Sequence, residues 1–104
     1  MRKLTAIVAA ALALGSVPVV AQEVGDAVKR TCRSVSSSTA RTIVYAVRAR
    51  VDPATQVKRV ADSWLEGVQA HMLLAASRAP HLSEEELAAL GYSYCVERRP
   101  SDHR

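Results

Sequence analysis

Residues 82–95 read Leu-Ser-Glu-Glu-Glu-Leu-Ala-Ala-Leu-Gly-Tyr-Ser-Tyr-Cys, and this stretch decides the fold. Ser83 followed three residues later by Glu86 is a capping box, in which each side chain takes up a backbone N–H at the start of a helix. Leu82 and Leu87 stand at the N′ and N4 positions of a hydrophobic staple. Glu84 and Glu85 favour the positive end of the helix dipole. Leu87, Leu90 and Tyr94 form the expected buried stripe, and Pro100 ends the element. The stretch finishes at Cys95, one of two cysteines; the other is Cys32.

Upstream, Asp52 is a good N-cap and Pro53 fits the first helical position, where its missing N–H costs nothing. An apolar stripe follows at helical spacing: Val57, Val60, Ala61, Trp64, Val68, Met72, Ala75 and Ala79. It predicts one helix over 53–79, stopped by Pro80, with Trp64 as the core anchor. Before it, Val28, Cys32, Val35, Thr39, Ile43 and Ala46 predict a helix from Asp26 to Arg50. The run Ser34 to Thr39 is its weak point. Serine hydroxyls compete for backbone hydrogen bonds, so a kink or a late start is expected there.

No strand pattern occurs. The expected fold is all-α, a small three-helix bundle closed by one Cys32–Cys95 disulfide. In an up-down-up bundle with a rise of ~1.5 Å per residue, a helix over 53–79 is ~39 Å long and brings the two cysteines to similar heights on neighbouring helices. Metal binding through two lone cysteines is the alternative, and no C-x-x-C spacing supports it.

The first 21 residues read as a secretory leader. Met1, Arg2 and Lys3 are the positive n-region and Leu4 to Leu14 the apolar h-region. Gly15, Ser16 and Pro18 follow, with Val19 and Ala21 at the −3 and −1 positions of a cleavage site. The h-region falls short of the ~20 apolar residues a membrane span needs. An uncleaved N-terminal anchor is the competing reading. The expected division is a signal peptide over 1–21, a helical domain over 22–100 and a flexible tail over 101–104. The expected location is the bacterial periplasm or the medium, with no stable membrane anchor after cleavage. A domain of this size is marginal without a staple, and an even cysteine count in an exported chain supplies one.

The full chain carries 14 basic and 10 acidic residues. Without Arg2 and Lys3 the net charge is +2, too small an excess to indicate nucleic-acid binding. The charges are segregated. Eight basic residues and only Asp52 fall in 28–59, whereas six acidic residues and only Arg78 fall in 60–97. Either the two segments attract each other on folding, or a basic face awaits an acidic partner.

Chemistry is harder to find. His71, His81 and His103 share no ligand spacing, so neither a metal nor another cofactor is expected. Asp62 and Glu66 lie one turn apart with no nucleophile beside them, and Ser36 to Ser38 lie in no nucleophile motif. His71, at the edge of the second stripe, reads as a structural histidine. The expected function is therefore non-enzymatic. The candidate contacts for another protein are Arg41, Arg48 and Arg50, with Tyr45 and Tyr92, two aromatics that fall off their helix stripes.

Cys32, the segment Ala46-Val47-Arg48-Ala49-Arg50, the helix start Ser83-Glu84-Glu85-Glu86 and Cys95 resemble a group of small, exported, uncharacterised two-cysteine helical proteins of proteobacteria. The resemblance spans most of the chain after the leader; it implies the same helical fold and no function. Weaker likenesses run to the acid-stress chaperones of the periplasm and to immunity proteins against cell-wall toxins, with no motif carried over. Three functions follow as expectations: an inhibitor- or immunity-type binding module first, an acid-stress chaperone second, a small hydrolase third.

Overall fold

A computed structural model describes residues 23–103; the expected leader and its cleavage site lie outside the described residues. The described residues form four helices and no strand: α1 (Asp26–Ala49), α2 (Pro53–Gln56), α3 (Ser63–Arg78) and α4 (Glu84–Glu97). None of them is long and apolar enough to cross a membrane.

The first helix keeps its expected span and runs without a break through the serines. Their hydroxyls bond inside the helix instead of competing with it. Ser36 Oγ donates to Cys32 O at 2.7 Å, Ser38 Oγ to Val35 O at 3.3 Å, and Thr42 Oγ1 to Ser38 O at 3.1 Å. Arg50 ends α1 in the left-handed region, with φ 60°. The N–H of Arg50 reaches Val47 O at 3.1 Å and that of Val51 reaches Ala46 O at 2.9 Å, the pairing of a Schellman cap.

The single long helix expected over 53–79 is two helices. Asp52 and Pro53 start one turn as expected, with Asp52 Oδ1 accepting from Ala54 N at 3.1 Å. Val57 then turns extended and buries its side chain. The break is held from a distance by Gln69, which is itself buried. Its Oε1 accepts from Val60 N at 3.1 Å and its Nε2 donates to Lys58 O at 3.0 Å, so two backbone groups of the non-helical segment are satisfied by a side chain. Asp62 starts α3 by accepting from Leu65 N at 3.1 Å. Ala61, expected in the core, is exposed.

This break changes the topology. Gln69 Nε2 donates to Thr39 Oγ1 at 3.4 Å, and Val47 near the end of α1 lines one groove with Leu73 and Ala76 near the end of α3. The two helices therefore run parallel, and residues 50–62 carry the chain back between them. Cys95 is bridged to Cys32 and takes a hydrogen bond from Trp64 near the start of α3, while Arg41 meets Glu84 at the start of α4. So α4 runs antiparallel to both. The order is up, return, up, down, rather than up-down-up.

The core lies among α1, α3 and α4 and is centred on Ile43, Val68, Met72, Leu87 and the bridge. Cys32 and Cys95 form the expected disulfide, with Cα atoms 5.6 Å apart and no exposed surface. Trp64 is a clamp on the rim rather than the core anchor. It is half-buried, and its Nε1 donates to Cys95 O at 2.9 Å. Met72 takes the centre, with Val68 one turn before it, both without exposed surface.

The capping box of α4 is present as read from the sequence. Glu86 N donates to Ser83 Oγ at 3.1 Å and Ser83 N to Glu86 Oε1 at 2.9 Å. The buried face is Leu87, Gly91 and Cys95, with Leu90 and Tyr94 half-buried. Gly91 lets Met72 approach so closely that a Cβ there would overlap Met72 Sδ, with Cγ at 2.9 Å and Cε at 3.0 Å. Beyond α4, residues 101–103 turn back. His103 N donates to Pro100 O at 2.9 Å, and its ring meets Trp64 edge-on with centroids 5.4 Å apart.

Candidate functional site

Arg41, Tyr45 and Arg48 follow one another at i, i+4 and i+7, so α1 presents them on one face. Tyr45 is the most exposed large apolar side chain described, at 71%. Arg41 Nε lies 3.8 Å from Glu84 Oε2, with both side chains largely exposed. A pair at that distance in water contributes little, about 0–1 kcal/mol, and leaves Arg41 free to exchange partners. Arg48 has no ion-pair partner among the described residues.

Beside this face, between α1, the 79–83 loop and the start of α4, lies a cavity of about 290 Å³. Ile43, Val44 and Leu87 are buried in its floor, and Arg48 and His81 are exposed at its edge. A second, more open groove of about 500 Å³ lies on the far side of Val47, between the end of α1, α2 and the end of α3. Val51 and Leu74 line it and are 40% and 49% exposed.

Three of the five candidate contacts thus come together: Arg41, Tyr45 and Arg48. Arg50 faces the second groove. Tyr92, expected as exposed, is half-buried and packs on the core, with the Arg33 guanidinium 5.8 Å from its ring centroid. It sits toward the other end of the bundle, because α4 runs antiparallel to α1. The second groove escaped the sequence reading. Its only signal was Leu74, an apolar residue off the α3 stripe.

The remaining candidates for chemistry have structural partners. Asp62 caps α3, and Glu66 Oε2 lies 3.4 Å from Arg59 Nη1. His71 stacks on Tyr94, with centroids 3.9 Å apart and planes 11° from parallel. The Arg98 guanidinium lies 4.8 Å from the same tyrosine ring. The Arg41–Glu84 and Arg59–Glu66 pairs join the basic to the acidic segment, so part of the charge segregation is spent within the fold.

Two carboxyls are held below their usual range. For Glu86 the main cause is the Ser83 backbone N–H, followed by the Ser83 hydroxyl. For Asp102 it is the hydrogen bond from the His103 ring. Among the described residues no three His, Cys, Asp or Glu side chains gather closely enough to hold a metal ion. Comparison of the chain with protein-family models, with curated proteins and with solved structures gave no match.

Proposed function

We propose that this chain is a non-enzymatic module of the bacterial cell envelope that binds another protein through the Arg41–Tyr45–Arg48 face of α1. The observation that carries the reading is Tyr45, 71% exposed between two arginines on a helix anchored by the disulfide. Tyrosine and arginine dominate the energetics of protein interfaces, and a helix presents them with little entropy left to lose. The leader pattern and the disulfide support an exported location.

The test is capture of the tagged protein from the periplasm, at neutral pH and again after mild acid. One stoichiometric companion at neutral pH is expected, lost on Tyr45→Ala and on Arg48→Glu. A companion retained by both variants would refute this face. Many unrelated companions appearing only in acid would favour the chaperone function instead.

A further inference from the structure

The cavity beside the arginine face has the polarity of a small-molecule site. Ile43 and Leu87 in its floor are fully buried, and Val44, Leu82 and Ala76 extend the apolar wall. At the mouth stand Arg48 and His81, both exposed, with Ser83 nearby and no acidic residue in the lining. The Glu86 carboxylate is taken up by the helix cap, its Oε1 accepting from Ser83 N at 2.9 Å, and does not line the cavity. A guanidinium without an ion-pair partner at the rim of an apolar cavity favours a ligand with a planar anionic head and an apolar body. Size narrows the class. A water-sized group occupies about 30 Å³, so a cavity of about 290 Å³ holds roughly ten non-hydrogen atoms.

We propose that this cavity binds a small apolar monocarboxylate of about ten non-hydrogen atoms. Its hydrocarbon body lies against Ile43, Val44, Leu82 and Leu87, and its carboxylate meets Arg48 and His81. The site goes beyond the partner-binding function; it shares Arg48 with that face, whereas Arg41 and Tyr45 lie outside the lining.

The experiment is calorimetric titration of the oxidised protein with octanoate, octan-1-ol and octylamine, three chains of similar length with anionic, neutral and cationic heads. Octanoate is expected to bind one to one, and more tightly than the other two. Arg48→Gln, at an exposed position that leaves the core intact, should weaken octanoate by about 10- to 100-fold, the loss of a charge-assisted hydrogen bond, while leaving octan-1-ol unchanged. Val47→Phe should fill the cavity and remove binding of both, with helicity and melting measured to confirm folding. Tyr45→Ala should leave octanoate binding intact, which separates this site from the partner face. Octanoate that binds no better than octan-1-ol, ignores Arg48→Gln or fails to saturate at one equivalent would overturn the proposal.

Discussion

Replacing Gly91 with alanine should destabilise the protein, although alanine is the better helix former. The new methyl would overlap Met72 Sδ, with Cγ at 2.9 Å and Cε at 3.0 Å. Rotating the tip of the methionine does not clear Cγ, and Met72 has no exposed surface to move into. Overpacking of this kind costs about 1–3 kcal/mol. The gain in helix propensity is about 1 kcal/mol. The net loss is up to about 2 kcal/mol, and each 1 kcal/mol lowers Tm by about 4–8 °C in a domain of this size. Gly67 is the internal control. It also lies within a helix, α3, but a Cβ there meets nothing within 4 Å. Gly67→Ala should therefore raise Tm by about 4–8 °C. The assay is thermal unfolding followed by circular dichroism with the disulfide intact. A Gly91→Ala variant that melts higher, in step with Gly67→Ala, would refute the close approach of α3 and α4. Combining Gly91→Ala with Met72→Ala should cost less than the sum of the two, by about 0.5–3 kcal/mol.

Three further outcomes follow from the fold. Gln69→Ala strips partners from Val60 N–H and Lys58 C=O, so it should cost about 2–4 kcal/mol in urea unfolding and speed hydrogen exchange at Val60; unchanged exchange would count against Gln69 as the holder of the break. Arg50→Gly relieves a left-handed arginine and should stabilise by about 1 kcal/mol, read as a higher denaturation midpoint. The folded-state pKa of Glu86 is depressed by the Ser83 N–H. Its contribution is then complete above the unfolded value of about 4.3 and is lost as pH falls through the lower folded value. The stability of wild type should fall through this acid window more steeply than that of Glu86→Gln, compared by urea midpoints at each pH.

What the sequence made legible was local. Ser83, Glu86 and Leu82 announce their helix within five residues, and the structure places each as the pattern requires. The disulfide was legible too, though not for the reason of height in an up-down-up bundle; Cys32 and Cys95 meet because α4 runs back along α1. The break after Gln56 was not legible. Val57, Val60, Ala61 and Trp64 keep helical spacing, and the group that satisfies the interrupted backbone belongs to Gln69, nine and eleven residues away. Missing it reversed the direction of α3, which moved Trp64 to the rim and hid the groove lined by Leu74. Of the candidate site, Arg41, Tyr45 and Arg48 were recoverable from spacing on one helix. Tyr92 was not, since its burial depends on where α4 lies against Arg33.

The bridge also makes residues 32–95 a covalent ring that contains the return segment, α3 and most of α4. A single peptide bond cut at the exposed Lys58–Arg59 link opens that ring without dividing the molecule. Both pieces stay tethered through Cys32 and Cys95 at millimolar effective concentration. Re-docking of α3 then remains a unimolecular event, and the Arg41–Tyr45–Arg48 face, on the part of the ring still held by the bridge, outlasts the cut.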